Sequence, residues 1–307
     1  MAYQNTIEQA VAADKLGWHA FWTVEHHFLS EYSHCSNPEV LYGAIAARTE
    51  NLRLGYGVRL MPAPYNHPVR TAESVAVLDL ISNGRVDFGT GRSSTRLELE
   101  GFGIDPHATR AMWLEAVGHV VGCWANDEYE FTGDTWSMPK RRVLPEEIKR
   151  KFDIYREAQR RCTDPIGKFI NSTATTFTMM NMAPTRAEAE DVARRSFEWY
   201  PKAGARIIGS LAEWMAERDQ ELGNYSYAQG MHDHDKDGSL DLLTLDIAQM
   251  MGACACGTPD DAIEICRRCE AAGVDLLLCL VNPYDIAHEK VMQTIELVGK
   301  HVIPHFA

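Results

Sequence analysis

The sequence predicts an α/β fold with parallel strands, alternating as in a (β/α)8 barrel. Strand-forming runs begin near Ala20, Leu52 and Arg85, a spacing of roughly 30 residues that leaves room for a helical crossover between parallel neighbours. A near-continuous apolar run, VDLLLCLVN, lies between two helix-patterned segments, as expected of a strand buried on both faces. No G-x-G-x-x-G turn joins a strand to a helix, so the usual pointer to a dinucleotide-binding open sheet is missing. A chain of 307 residues is routine for one α/β barrel, and residues 1–307 read as a single domain.

The elements follow in order. NTIEQAVAADKLG places Ile7, Ala10 and Val11 at helical spacing and stops at Gly17, a residue able to take positive φ. HAFWTVEHH reads as a short strand. Asn37-Pro38-Glu39 then combines a capping residue, a proline at the first helical position and an acid in the first turn, which is a strong helix start. LRLGYGVRLM is the second strand, PVRTAESVAVLDLISNG an amphipathic helix closed by Gly84, and RVDFGTGR the third strand. Downstream, TATTFTMMNM reads as a strand before a helix near Pro184, and helices are expected over Asp260 to Ala272 and Ile286 to Lys300. Two places break the rhythm. The chain opens on a helix with no strand ahead of it, and KRRVLPEEIKRKFDIYREAQRR passes into a basic helix where another strand is due. About six strands can be counted where such a barrel needs eight. Either the barrel is degenerate, or segments are missing before Met1 and between Val143 and Lys151.

Composition narrows the function. With 45% hydrophobic and 24% charged residues the chain can bury a large core, and its net charge of −13 gives no field that would attract nucleic acid or anionic lipid. No run approaches the roughly 18 apolar residues of a membrane span, and MAYQNTIEQA has no signal-peptide pattern. A cytoplasmic protein is expected. Eight scattered cysteines then read as reduced thiols. Cys254, Cys256, Cys266 and Cys269 are enough in number for zinc, but ICRRCEAAG is a helical stretch in which i, i+3 spacing is ordinary packing. DHDKDGSLD imitates a calcium loop at Asp233, Asp235, Asp237 and Gly238. Its twelfth position is Thr244 rather than the bidentate Glu such a loop requires, so a solvated loop is expected and no metal.

WTVEHHFLSE places Glu25 directly before His26 and His27. Adjacent histidines on a strand point to opposite faces, so both can serve one site only if the strand ends there. Taken alone, the dipeptide is compatible with capping or packing.

WTVEHHF, NPEV, GYGVRLMPAPYNHPVRTAESVAVLDLISNGRVDFGTGRS and EGFGIDP together resemble the bacterial luciferase-like flavin monooxygenase family. The tail GTPDDAIEICRRCEAAGVDLLLCLVN with HEKVMQTIELVGKHVIPHF resembles that family's C-terminal end. The resemblance implies a luciferase-like (β/α)8 TIM barrel using reduced FMN (FMNH2) and O2 to oxidise a small organic substrate, a separate flavin reductase supplying the FMNH2, and a homodimer. It makes His26 the catalytic histidine, with Glu25 orienting the loop or tuning the imidazole and His27 facing the packing side. Gly57 and Val58 match the family's non-prolyl cis peptide beneath the flavin, and Arg92 is placed to meet the FMN phosphate. Tyr56, with Trp22, Tyr65, Phe102 and His107, is a candidate lining of the pocket. An imidazole suits proton exchange at neutral pH, and the planar fork of an arginine suits a phosphate. Three other readings compete: the same fold using deazaflavin F420 for hydride transfer, a non-catalytic partner subunit, and a metal hydrolase, which neighbouring histidines without i, i+4 spacing serve poorly.

Overall fold

The computed structural model describes residues 2–143 and 173–306. The seam expected between Val143 and Lys151 lies outside the described residues. The first half begins with α1 (Ala2–Lys15), which ends before Gly17 at φ +80°, and β1 (Ala20–Thr23) follows. Helix α2 (Pro38–Ala46) starts on Pro38, as the sequence indicates, although the Asn37 side chain makes no capping bond. The second predicted strand is interrupted, forming β2 (Arg53–Tyr56) and β3 (Arg59–Leu60) around a cis Gly57–Val58 peptide. After α3 (Pro68–Ser82), which closes on Asn83 and Gly84 both at positive φ, the third strand likewise splits into β4 (Val86–Asp87) and β5 (Thr90–Gly91). Helices α4 (Arg96–Gly101) and α5 (Thr109–Ala125) lead into an antiparallel hairpin, β6 (Tyr129–Thr132) and β7 (Ser137–Arg141).

The second half contains β8 (Thr175–Met182), the long α6 (Arg186–Glu217), α7 (Tyr227–Lys236), α8 (Leu245–Met250), β9 (Cys254–Gly257), α9 (Pro259–Ala271), β10 (Leu276–Leu280) and α10 (His288–His301). The parallel strands form two arcs, ordered β1-β2-β4 and β10-β8-β9, with β3-β5 extending the first. In the second arc the long β8 is central, its residues 175–179 pairing with β10 and 179–182 with β9. Helices α1 and α10 join the arcs: Ile7 and Ala10 share one core with Val291 and Ile295, and the Trp18 indole donates to the Ile295 carbonyl at 3.2 Å. Arg85 is buried and donates to the carbonyls of Ala46, Thr49, Leu52 and Ser82. Its charge sits at the carbonyl end of α2, where a cation is favoured, and this fixes the start of β2.

Three expectations need correction. Asp233 and Asp235 of the calcium-like motif lie on helix α7 rather than in a solvated loop. The apolar β10 is only partly buried along its length, and the hairpin of β6 and β7 falls where the sequence showed no strand. Cys266 and Cys269 do lie on a helix, α9. Among the described residues no group of three or more His, Cys, Asp and Glu side chains is placed to hold a metal, and no helix is long and apolar enough to cross a membrane.

Candidate active site

The chain leaves β1 at Thr23 and runs as a loop until α2, so Glu25, His26 and His27 follow the C-terminal end of a barrel strand. The alternation of a strand does not separate the two histidines, and both converge on Glu98 of α4. Oε1 of Glu98 is 3.1 Å from Nδ1 of His26 and accepts the backbone N–H of His27 at 2.9 Å. Its other oxygen accepts the hydroxyls of Ser93 and Thr95, both at 2.7 Å. Burial works to raise the Glu98 pKa, but the hydrogen bond and charge of His26, Ser93 and the His27 amide outweigh it. They hold the carboxyl below the usual glutamate range. An ionised carboxylate can only accept, so Nδ1 of His26 carries the proton. Among the described residues, Nε2 of His26 makes no hydrogen bond, and the side chain is 24% exposed.

Glu25 does something different. It is buried, accepts the Leu60 N–H and Asn66 Nδ2 at 2.9 Å each, and lies 3.8 Å from Nε of Arg59. Arg59 is also buried and pairs with Glu39 and Asn66. This network pins the loop to β3. The imidazole that Glu25 reaches is that of His27, at 3.4 Å, so the carboxylate partner of His26 is Glu98 instead. The His27 ring stacks on Tyr65 at 5.8 Å and meets Phe102 edge-on at 5.0 Å, an environment of packing.

Gly55 and Gly57 face the indole of Trp22; a Cβ on Gly55 would come within 2.2 Å of that ring. A Cβ on Gly91 would come within 2.6 Å of Val58, so glycines let β2, β3 and β5 approach closely around the cis peptide. The buried Nε1 of Trp22 has no hydrogen-bond partner among the described residues. Tyr56 points to the other face of β2, packed with Tyr42 and Phe88 at 4.9 and 5.7 Å in the core shared with Leu54 and Val75. The Tyr56 side chain is therefore turned away from the face on which Gly55 and Gly57 meet Trp22. Arg92 follows β5 directly. Its guanidinium lies 4.4 Å over the Tyr225 ring and donates to Thr109 at 3.2 Å, and among the described residues no carboxylate pairs with it. Tyr225 donates to the Ser93 carbonyl at 2.9 Å, so Ser93 links the arginine to the Glu98 network. His107 is exposed on the connection between α4 and α5, near Gly223.

Glu98 escaped the sequence reading, although Thr95-x-x-Glu98 has the form of a capping box and the Thr95 hydroxyl does accept the Glu98 N–H at 3.3 Å. That pattern announces a helix start, not an acid turned inward. Tyr32 and Tyr200 were missed as well. Their rings stack at 4.7 Å, and Tyr32 stands edge-on to His26 at 6.0 Å. They are far apart in sequence and no local pattern links them.

The fold is that of a TIM barrel, seen among the described residues as two arcs of parallel strands, with polar groups gathered beyond the C-terminal ends of those strands. The sequence model of the family described as luciferase-like monooxygenase matches residues 1–166, and the chain belongs to that family. It is 34% identical over 149 residues to the oxygenase component of the flavin-dependent trigonelline monooxygenase of Acinetobacter baylyi. That match takes in 48% of this chain and 40% of the relative, so the chain spans less than half the length of that relative. In structure it is similar to the monooxygenase RslO1 of Streptomyces bottropensis, with a TM-score of 0.73, 21% identity and coverage of 99% and 94% of the two chains. It is also similar to the oxygenating constituent of 3,6-diketocamphane monooxygenase of Pseudomonas putida, in complex with FMN (TM-score 0.66, 19% identity, coverage 98% and 92%). An F420-dependent secondary alcohol dehydrogenase shares the fold at a TM-score of 0.65, with 14% identity and coverage of 99% and 95%.

Proposed function

We propose that this chain is the oxygenase component of a two-component flavin-dependent monooxygenase, acting in the cytoplasm as a homodimer. It takes reduced FMN from a separate reductase and uses O2 to oxidise a small organic substrate. The observation that carries this reading is the His26–Glu98 couple, with Nε2 of His26 making no hydrogen bond among the described residues, in a network that reaches Arg92 through Ser93.

The residues present fit such a cofactor. Arg92 is a cation without a carboxylate partner among the described residues and would hold the phosphate, while Gly57 and Val58 would lie against the ring system. The Trp22 indole N–H, without a partner among the described residues, is a further donor in the same strand layer. When bound, reduced FMN supplies the two electrons with which oxygen is activated. The protein's share is proton control and position. Glu98 keeps the proton of His26 on Nδ1, which leaves Nε2 as the ring atom able to accept one. Glu25 and Arg59 hold the loop that carries the imidazole.

Anaerobic titration of the protein with reduced FMN, followed by mixing with O2, tests the reading. Saturable binding and a reoxidation time course unlike that of free reduced FMN are expected. Reduced FMN that reoxidises identically with and without protein would overturn it. The shared fold with an F420-dependent dehydrogenase gives the second reading, which tighter binding of F420 than of FMN would establish. Sedimentation equilibrium checks the homodimer.

A further inference from the structure

Twelve methionines stand in the sequence, and they are unequally placed. Met61, Met180, Met182 and Met215 are closed off in the core, whereas Met250 and Met251 are 79% and 71% exposed, the only exposed methionines among the described residues. Helix α8 explains the contrast. Its Leu245 and Ala248 enter the core shared with Cys254 and Cys256, and the Gln249 side chain donates to the Cys256 carbonyl at 2.9 Å. With that face committed to the barrel, the two thioethers at the helix end are left to solvent. The backbone beneath them is held: the N–H groups of Met251, Gly252 and Ala253 donate to the carbonyls of Ile247, Gln249 and Ala248 at 2.9, 3.0 and 2.8 Å, and Gly252 takes φ +70°. The exposure therefore belongs to a hydrogen-bonded turn. The pair precedes the N-terminal end of β9, whereas His26 follows the C-terminal end of β1, so in a barrel of parallel strands the two lie at opposite ends.

We infer that Met250 and Met251 form an oxidation site, each taking one oxygen atom from hydrogen peroxide to become methionine sulfoxide. In that step a sulfur lone pair attacks one peroxide oxygen. The S–O bond forms as the O–O bond breaks, sulfur is oxidised by two electrons, and the second oxygen leaves with both hydrogens as water. The thiols compete poorly, because the thiolate is their reactive form and burial pushes Cys35, Cys123, Cys254, Cys256, Cys266 and Cys279 above the usual cysteine range. A thioether has no proton to lose and needs only access. Because Leu245 and Ala248 carry the apolar face of α8, polar sulfoxides at its end leave the core untouched. An enzyme handling O2 and reduced flavin would meet peroxide whenever product fails to form; that source rests on the monooxygenase reading, and the site does not.

The test adds hydrogen peroxide to the full chain and follows oxygen uptake by peptide mass spectrometry, with catalase ending each time point. Met250 and Met251 are expected to gain one oxygen each before any other described methionine, about tenfold faster than the buried ones. The thermal midpoint should stay unchanged, and methionine sulfoxide reductase should return the original mass. Met250→Leu combined with Met251→Leu should abolish the early uptake without quickening it elsewhere. Oxidation of any other described methionine, or of a described cysteine, as fast as the pair would overturn the proposal, as would a fall in the thermal midpoint while the pair is being oxidised. No flavin is present in this test, so a failure of the chain to bind reduced FMN would strike the cofactor reading and leave the oxidation site standing.

Discussion

His26 and His27 are neighbours with unequal duties, and the difference lies in which atom of each touches Glu98. His26 offers its ring, through Nδ1, whereas His27 offers only its backbone N–H and turns its ring to Tyr65 and Phe102. Under the proposed function, loss of the His26 ring removes proton control and leaves the residues proposed to hold the cofactor in place. His26→Ala is expected to bind reduced FMN normally and to form product about 10²- to 10⁴-fold more slowly, with hydrogen peroxide released instead. His27→Ala should chiefly lower stability. Product per reduced flavin, measured for both at matched folding, decides; a productive His26→Ala beside an uncoupled His27→Ala would exchange the roles. Glu98 carries a second prediction. Its folded pKa is depressed by His26, Ser93 and the His27 amide against the opposing effect of burial, so its contribution to stability is present above the unfolded value of about 4.3 and is lost as pH falls through the lower folded value. Urea unfolding between about pH 6 and 3 should show the parent losing stability with acid, and Glu98→Gln losing less over the same range. At neutral pH Glu98→Gln should be less stable by about 1.5 to 3 kcal/mol, the worth of a hydrogen bond to a charged group. Parallel pH curves for the two proteins would show that the carboxylate is not the titrating group.

At the scale of elements, small residues decide how closely strands approach. Gly55 of β2 lies beneath the Trp22 indole of β1, its neighbour in the sheet, so Gly55→Ala must push the ring or the strand aside. Overpacking of this kind costs about 1 to 3 kcal/mol, which a shift in the urea midpoint at unchanged slope would report; an unshifted midpoint would mean that the indole is free to move. The sequence made several elements legible for the same local reasons that hold them in the structure. Pro38 begins α2, Gly84 lies at the end of α3, and the helix expected near Pro184 opens at Thr185, whose hydroxyl accepts the Glu188 N–H. Elements held by distant partners were not legible. The β6 and β7 hairpin depends on His119 of α5 stacking on Phe131 at 3.8 Å and on Glu115 accepting the Thr135 and Trp136 amides. Neither contact leaves a mark in the strand sequences. Helix α7 was hidden by its acids, because Asp233 and Asp235 find partners on or across helices: Gln229 donates to Asp233 and Arg206 to Asp235.

For the whole molecule, parallel order was readable from the repeat, whereas the central place of β8 in its arc was not, since strand neighbours follow from packing and not from chain order. The site shows the same division. His26, Gly57 and Arg92 are proposed through a family pattern, whereas the contacts of Glu98 on α4, Tyr32 on the loop after β1 and Tyr200 on α6 become visible only in the folded chain. A ligand held by groups from such separate parts should stabilise the entire fold, because only the folded chain brings them together. Binding confined to the folded state contributes RT ln(1 + [L]/Kd), about 2.7 kcal/mol at a hundredfold excess over Kd. Reduced FMN added anaerobically should therefore raise the thermal midpoint in a concentration-dependent way. Arg92 bears on this directly, because its guanidinium is held by Tyr225 and Thr109 rather than by a carboxylate and is available to a phosphate. Arg92→Ala should melt close to the parent without ligand, but need about 10- to 100-fold more reduced FMN for the same rise, as the loss of a charged hydrogen bond implies. Riboflavin, which lacks the phosphate, should raise the midpoints of parent and variant equally. If reduced FMN protects both proteins alike, the phosphate lies elsewhere and the assignment of Arg92 fails, while a riboflavin effect that also depends on Arg92 would place the guanidinium against the ring system instead.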